Sequence, residues 1–389
     1  MSARRVLFVD DEPHILSGLG RMLRGKTDWE LTFADGGVQA LAQLATHPVD
    51  VVVSDMRMPG MDGGELLSHM RRLYPSTARL ILAGHADLED IIAAVGPTQQ
   101  FLCKPCDADA LIHAINRVLT VRDTVTDERL QGILGDVEAL PIPPLVHSRL
   151  IEVSARPNSG LTDVVTVLES DLALCAEILK LVNSAFFGLS GHVESVGRAV
   201  SLLGIDTIHA LALSGKVFGS GPTIPKNLDV VELRRTGMRA AGYARAIATS
   251  EGWAPDTTGR AFLSALLRDL GLLVLAANSA GYDRVRAVPP EDQWARSNAE
   301  LEAFGCTVPE ASAYLLGLWG FSQSVVGAVA CQPTRLEDSA TTPVAHVVSF
   351  AHHRALVSCV APDTEAGGWF EARNRRWNNV CDTAATLGG

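Results

Sequence analysis

The sequence predicts two fold classes in one chain of 389 residues, an α/β domain on a doubly wound parallel sheet followed by an all-helical domain. Two observations predict this division. Up to residue 121, short apolar runs alternate with helical patterns, as in a five-stranded parallel sheet covered by helices on both faces. After Leu140 the strand patterns end and only helical periodicities follow.

In the α/β domain, residues 1–121, each strand is a short apolar run. Val51, Val52 and Val53 illustrate this, because three consecutive β-branched residues are typical of a strand buried on both faces. The strands are predicted at Val6–Val9, Glu30–Ala34, Val49–Ser54, Leu80–Ala83 and Phe101–Lys104. The helices between them are predicted at Pro13–Arg24, Gly37–Thr46, Glu65–Leu73, Leu88–Val95 and Ala108–Val121.

The remaining chain divides into three parts. Residues 122–139 are polar with apolar residues at helical spacing, which indicates a linker helix. Residues 140–357 form the helical domain, in which Asp171 and Asp206 are expected as helix caps or first-turn acids. Its helices are predicted at Leu145–Ala155, Leu161–Ser170, Ala173–Phe187, Val196–Gly204, Asp206–Phe218, Val230–Ser250, Thr258–Asn278, Tyr282–Ala287, Glu291–Phe304, Pro309–Trp319, Ser322–Ala330 and Pro343–Val357. Residues 358–389 form a tail with a helical pattern, for which a helix docked on the domain is expected.

Charged residues end three of the predicted strands. Asp10 and Asp11 follow the first strand, Asp55 ends the third, and Lys104 ends the fifth. Chemistry in doubly wound sheets lies outside the carboxyl ends of the strands. Neighbouring carboxylates repel each other unless a divalent cation joins them, and Mg2+ suits such a site. The set describes an aspartyl nucleophile that accepts a phosphoryl group in line while the metal and Lys104 neutralise its charge.

These residues stand in a known order: the acid pair, the loop Asp-Met-Arg-Met-Pro-Gly-Met-Asp-Gly from Asp55, and Lys104 before a proline. In this the first third of the chain resembles the receiver domain of two-component response regulators, a flavodoxin-like fold. The resemblance implies that Asp55 is the phosphorylation site and that Asp10 and Asp11 hold Mg2+ with it. It also implies that Lys104 contacts the phosphoryl group and that a sensor histidine kinase is the phosphodonor.

The fourth strand departs from the receiver pattern. Receivers end this strand in Ser or Thr, whose hydroxyl moves to the phosphoryl group, and Ala83 stands in that place here. A charge-assisted hydrogen bond contributes about 1.5–3 kcal/mol, comparable to a switching energy, so its loss weakens the coupling. Phe101 retains the aromatic position of the switch. A constitutive scaffold whose receiver no longer switches is therefore an alternative to a phosphorylation-controlled regulator.

The helical domain carries a second set of motifs. They are Leu140-Pro141-Ile142-Pro143, Leu168-Glu169-Ser170-Asp171, the run from Leu179 to Gly188 that contains Val-Asn-Ser-Ala-Phe-Phe-Gly, Ala199–Gly204, and Leu266-Leu267-Arg268-Asp269-Leu270-Gly271. With these motifs the domain resembles an HDOD domain, a relative of the HD-type phosphohydrolases. The resemblance implies an all-helical, HD-related output domain.

HD hydrolases hold metal through neutral imidazoles and an Asp. In this chain Arg268 replaces the histidine of the His-Asp pair, Asp269 remains, and Arg235 falls where a ligand histidine is expected. Because an arginine stays protonated and cannot ligate a cation, we predict a domain without catalysis or cofactor that binds a protein partner. An HD-type metal-dependent phosphodiesterase acting on a cyclic dinucleotide is the alternative.

The two arginines permit two interpretations of this vestigial pocket. Arg235 and Arg268, beside Asp269, either line the pocket and bind an anionic ligand such as a nucleotide phosphate, or they pair internally. We favour internal pairing. Three histidines of the last predicted helix are expected as surface or capping residues: His346, His352 and His353.

Composition limits the partners. The formal net charge of -11 argues against direct binding to nucleic acid or an anionic membrane. The longest apolar region, Ala261–Ala277, contains two charged residues, so no membrane span is predicted. Seven scattered cysteines indicate reduced thiols in a cytoplasmic protein. Homodimerisation through the receiver face or the linker helix is a further alternative.

Overall fold

The structure of the protein is a computed structural model. It describes residues 3–84, 98–125, 127–137, 140, 142, 144–156, 159–183, 192–214, 228–278, 281–289, 292–331, 342–356 and 368–387. The helix predicted at Leu88–Val95 and residues 184–188 of the predicted HDOD motif lie outside these ranges.

The first domain is built on five parallel strands in the order β2-β1-β3-β4-β5. The strands are β1 (Arg5–Val9), β2 (Glu30–Ala34), β3 (Val51–Asp55), β4 (Ala78–Ala83) and β5 (Gln100–Cys103). Its helices are α1 (Pro13–Leu23), α2 (Gly37–Thr46), α3 (Gly63–Leu73) and α4 (Ala108–Thr124). The predicted α/β fold is confirmed, and the three valines of β3 are fully buried at the centre of the sheet.

Strand register brings the charged strand ends together. β1 and β3 pair in parallel, so that Asp10 and Asp55 follow at the same level. Lys104 follows β5 and donates its backbone N–H to the carbonyl of Ala83 at 2.7 Å. The chain order reverses between β1 and β3, which makes their carboxyl ends the place where a doubly wound sheet opens a crevice.

A separate short helix, α5 (Glu128–Gly135), follows α4 and connects the domains. It packs on the first domain, where the buried side chain of Arg79 donates hydrogen bonds to the carbonyls of Gly135 and Thr77. Gly135 is required at this contact, since a Cβ there would lie 2.1 Å from the carbonyl oxygen of Pro75. The linker is therefore held against the first domain rather than extending from it.

The second domain is helical, as predicted. Its helices are α6 (Pro144–Ala155), α7 (Leu161–Glu169), α8 (Leu172–Val182), α9 (Val196–Leu203), α10 (Ile205–Ser214), α11 (Val230–Ser250), α12 (Pro255–Leu267), α13 (Leu270–Asn278), α14 (Tyr282–Ala287), α15 (Gln293–Phe304), α16 (Val308–Leu318), α17 (Gln323–Ala330) and α18 (Pro343–Leu356). Every residue of α8 is buried, which makes it the central helix. Within the described ranges no single helix is long and apolar enough to cross a membrane, and one bent pair, α9 with α10, passes that test by length and composition only.

The tail forms the helix α19 (Gly368–Leu387), which docks on the long helix α11. Trp377 is buried in this contact and donates its indole N–H to Oε1 of Glu251 at 3.0 Å. Its ring meets Phe350 edge to face, with centroids 5.2 Å apart. Burial of an aromatic ring with a satisfied N–H accounts for the docking.

Candidate functional site

Asp10, Asp55 and Lys104 form one cluster at the carboxyl edge of the sheet. The Lys104 ammonium lies 2.8 Å from Oδ2 of Asp10 and also contacts Oδ1 of Asp55. Both carboxylates are largely buried, whereas the Lys104 side chain is partly exposed. The structure thus brings together three of the residues selected from the sequence: two carboxylates and the lysine ammonium that contacts both of them.

The loop after β3 holds Asp55 in place. Oδ2 of Asp55 accepts the backbone N–H of Arg57 at 2.8 Å, and Asp62 caps α3 by accepting the N–H of Glu65. Gly63 begins α3 so close to the strand end that a Cβ would lie 2.2 Å from the carbonyl oxygen of Asp55. Only glycine permits this approach, which turns the chain sharply behind the acid.

Electrostatics favour the charged form of Lys104. Burial acts to lower the pKa of Lys104, but its hydrogen bonds and charge interactions with Asp10 and Asp55 outweigh burial and raise the pKa above its ordinary value. The ammonium is therefore protonated at neutral pH. A fixed cation beside a carboxylate nucleophile is suited to a reaction that brings in further negative charge.

The three-acid metal set expected from the sequence is not assembled in this arrangement. Within the described ranges, no three His, Cys, Asp or Glu side chains are grouped so that they could hold a metal ion. Asp11 is partly exposed beside the buried Asp10. Asp10 and Asp55 nevertheless converge on one cation, and two carboxylates fit Mg2+, which keeps several waters in such sites.

The two switch positions are buried next to this cluster. Ala83 ends β4 and pairs with Cys103 of β5, while Phe101 pairs with Ile81 two residues earlier along the strands. Ala83 brings no hydroxyl to the site, so the carboxyl end of β4 contributes only backbone groups there. The relay through a hydroxyl that the receiver pattern includes has no counterpart at this position.

We expect Lys104→Met to slow phosphorylation of Asp55 by a small phosphodonor such as acetyl phosphate on the order of 10²-fold, because one preorganised charge is lost. The measurement is the initial rate of phosphoprotein formation. Lys26→Met is the matched control, since Lys26 is an exposed lysine of the same domain that faces Asp109. A wild-type rate in Lys104→Met would contradict a role for the ammonium.

In the helical domain, one residue predicted for the vestigial pocket lies elsewhere. Arg235 is exposed and pairs with Glu232 at 3.0 Å, so the prediction that it lines the pocket is wrong. Arg239, one helical turn further along α11, lines the cavity instead and contacts the same glutamate. The reason is the helical period: Glu232, Thr236 and Arg239 of α11 follow at spacings of four and three and share the face that lines the cavity, and Arg235 lies outside this series.

Asp269 pairs with a histidine that the sequence analysis placed on the surface. Nε2 of His352 lies 2.7 Å from Oδ2 of Asp269, and His352 is buried. Burial acts to raise the pKa of Asp269, but the charge and hydrogen bond of His352, with nearby arginines, lower it below its ordinary value. The expectation of a surface histidine is wrong for His352. Its spacing of four residues from Val348 and eight from Val344, both buried, was the signal for the inner face of the helix.

Two family models match the chain. The model described as HDOD domain matches residues 140–334, half of the chain. The model described as response regulator receiver domain matches residues 6–116. The matches fall on the helical and the α/β domain, respectively.

Curated relatives are similar to a part of this chain. The transcriptional regulatory protein GlrR of Escherichia coli K12 is 35% identical over 153 residues, which cover 38% of this chain and 34% of that protein. The DNA-binding transcriptional regulator NtrC of Salmonella typhimurium is 38% identical over 119 residues, covering 30% of this chain and 24% of that protein. The chain thus spans about a third or less of the length of these relatives.

Two solved structures are also similar to parts of the chain. The signal receiver domain of an HD domain-containing protein from Pseudomonas fluorescens Pf-5 is 35% identical, covering 32% of this chain and 99% of that chain with a TM-score of 0.30. The MmoQ response regulator from Methylococcus capsulatus Bath is 22% identical and covers 63% of this chain and 97% of that chain, with a TM-score of 0.48.

Proposed function

This chain belongs to the HDOD family and carries a response regulator receiver domain ahead of its HDOD domain, and from this premise we propose a phosphorylation-controlled signalling protein. Asp55 accepts a phosphoryl group from a sensor histidine kinase, and the phosphorylated receiver modulates an HDOD output that binds a protein partner without catalysis. The observation that carries the proposal is the convergence of Asp10 and Asp55 on the Lys104 ammonium.

The chemistry assigns one task to each residue. An Oδ atom of Asp55 forms a bond to phosphorus while the bond from phosphorus to the donor's histidine nitrogen breaks, and that nitrogen leaves with the electron pair. The N–H of Arg57 orients the carboxylate by its bond to Oδ2. The Lys104 ammonium neutralises charge on the phosphoryl oxygens as they approach.

Mg2+ is the proposed cofactor of this step. When bound, it neutralises phosphoryl oxygens and aligns them with the attacking carboxylate. Asp10 and Asp55 would hold it, because their carboxylates converge on one positive charge. Asp11, beside Asp10, is the third proposed ligand.

A route from this site to the HDOD domain runs along β5. Lys104 follows the carboxyl end of the strand, and Gln100 begins it. Four residues of extended chain place Gln100 about 13 Å from Lys104. The Gln100 side-chain amide donates to the carbonyl of Leu318 at the end of α16 at 3.1 Å, and its oxygen accepts from Arg117 at 3.0 Å. A displacement of Lys104 toward a phosphoryl group therefore acts on a strand whose other end is bonded to the output domain.

The residues of the HDOD pocket support an output without metal catalysis. Arg268 occupies the place of a ligand histidine, and its guanidinium donates to the backbone carbonyl of Val329 at 2.9 Å. A protonated arginine bound to a carbonyl has no lone pair to offer a cation. Asp269 is engaged by His352. The output is then a binding module, with a cytoplasmic location and no direct contact with nucleic acid or membrane as parts of the same proposal.

Hydrogen exchange tests the proposal. The full chain is compared with and without Mg2+ and beryllofluoride, which mimics a phosphoryl group on Asp55, and protection is followed across residues 122–357. We expect changes in the linker helix and in α16, because both are bonded to the receiver. The same changes must be absent in Asp55→Asn.

One observation favours a second candidate function. Ala83 brings no hydroxyl to the phosphoryl site, so the receiver is less able to couple phosphorylation to a change of shape. Exchange changes confined to the receiver would support a constitutive scaffold in place of a switch.

Domain docking gives a structural prediction. A Cβ on Gly317 of α16 would lie 2.5 Å from Cγ2 of Val121 on α4, so Gly317→Ala is expected to destabilise the docked arrangement by about 1–3 kcal/mol. Val121→Ala added to Gly317→Ala makes room for the methyl group and restores docking. Limited proteolysis of the linker measures the effect.

The control for this prediction is Gly327→Ala, because a Cβ on Gly327 meets nothing within 4 Å. It is expected to leave protease resistance unchanged or to increase it through higher helix propensity. Equal resistance of Gly317→Ala and wild type would contradict the tight contact between α4 and α16.

A further inference from the structure

The HDOD domain contains a cavity of about 330 Å3, large enough for a small organic molecule. It lies between α11, the short helix α14, α15 and the end of α18. Much of its wall is apolar. The apolar lining residues include Leu228, Leu233, Leu272, Val288, Val308 and Leu356.

The carboxylates of this cavity are already engaged by groups of the protein. The contacts are Asp229 with the N–H of Glu232, Glu232 with Arg235 and Arg239, Asp269 with His352, and Glu300 with Arg296 and the N–H of Val308. A cationic ligand would have to displace one of these partners. The acidic side of the cavity is therefore saturated.

The guanidinium of Arg268 is in the opposite condition. Arg268 is only 2% exposed to solvent, yet it is one of the residues that line the cavity. Nη1 donates to the carbonyl of Val329, while Nε is buried and has no hydrogen-bond partner among the described residues. In the described part of the chain, no carboxylate forms a salt bridge with Arg268. A buried charge with so few partners is costly unless an anion completes it.

Internal pairing does not remove this deficit. Asp269 follows Arg268 in the chain and interacts with it through its charge, but the Asp269 carboxylate bonds to His352. Burial remains the largest influence on Arg268 and lowers the pKa of its guanidinium. Arg268 thus keeps a buried N–H donor that no acceptor among the described residues satisfies.

We propose that this cavity is a binding site for a small organic anion whose phosphate or carboxylate oxygens accept hydrogen bonds from Arg268, and whose apolar body contacts the aliphatic wall. The guanidinium fork matches either type of anion with two parallel hydrogen bonds. Such a ligand gives the output domain a second input, separate from Asp55 and measurable without phosphorylation.

Calorimetry on the full chain tests the site with three probes. They are AMP as an organic phosphate, benzoate as an organic carboxylate, and inorganic phosphate as an anion that has no organic group. We expect AMP or benzoate to bind more tightly than inorganic phosphate. Which of the two binds identifies the class of anion. In Arg268→Met the affinity is expected to fall at least about tenfold, or 1.4 kcal/mol. Arg156→Met, the matched loss of an exposed arginine that pairs with Glu152 outside the cavity, is expected to bind like wild type.

A second variant protects the test against misfolding of Arg268→Met. Ser297→Phe places a ring into the cavity from its partly exposed wall on α15 and leaves Arg268 in place. It is expected to abolish binding with an unchanged melting temperature. Absence of heat from all three probes at millimolar concentration would overturn the proposal. Binding that survives both Arg268→Met and Ser297→Phe would overturn it as well.

Discussion

Asp55→Asn is expected to abolish phosphoryl acceptance by the chain. The amide is nearly the same size as the carboxylate, so the contact with the N–H of Arg57 is preserved, but the nucleophilic anion is gone. The contact with the Lys104 ammonium also loses its charge. The measurement is intact-protein mass after incubation with Mg2+ and acetyl phosphate, in which wild type gains the mass of one phosphoryl group and the variant gains none.

Asp62→Asn is the matched control for this loss. Asp62 lies in the same loop and caps α3, and asparagine caps a helix as well as aspartate does. Its phosphorylation is expected to match wild type. Phosphoryl incorporation that persists in Asp55→Asn would show that another residue accepts the phosphoryl group. Asp10 and Asp11 would then be tested first.

Asp171→Ala is expected to destabilise the HDOD domain severely. Asp171 is fully buried, caps α8 through the N–H groups of Ala173 and Leu174, and lies 2.5 Å from Nε of Arg234 as an ion pair. Loss of the cap costs about 1 kcal/mol, and a buried charge left without its partner costs about 3–5 kcal/mol. Chemical denaturation of the full chain, followed by tryptophan fluorescence, measures the change.

Two further variants separate the cap from the ion pair. Asp171→Asn retains the capping oxygen and removes only the charge opposite Arg234. Adding Arg234→Met removes the cation that has lost its partner. Replacing both members of a buried ion pair by uncharged groups often changes the stability of a protein very little. We therefore expect the double variant to recover most of the stability lost in Asp171→Asn. A double variant less stable than Asp171→Asn would contradict the ion-pair explanation.

The receiver site was largely predictable because its residues occupy strand ends. Asp10, Asp55 and Lys104 each follow a short apolar run, and parallel strands carry such residues to one edge of the sheet whatever the details of packing. Ala83 was recognised as a departure only through the resemblance to receiver domains, which end this strand in Ser or Thr. Local pattern and topology were sufficient for the charged residues.

The HDOD pocket required the tertiary structure. Helical periodicity groups residues into faces, but it does not show which side of α11 faces a cavity, and so Arg235 was chosen although Arg239 lines it. The partnership of Asp269 with His352 joins residues 83 positions apart, and nothing local to either residue indicates the other. The bond from Gln100 to Leu318 crosses 218 positions and two domains.

By itself the sequence determined an α/β domain with acids and a lysine at its strand ends, followed by an all-helical domain, because strand and helix periods and strand-end residues are local properties. The receiver and HD-related assignments came from the resemblance of its motifs to those families. Only the tertiary structure decided which arginine lines the HDOD cavity, which acid each charged group meets, and where the two domains are bonded. Those outcomes depend on how distant helices pack, and packing selects contacts by shape and by the demand that each buried charge find a partner.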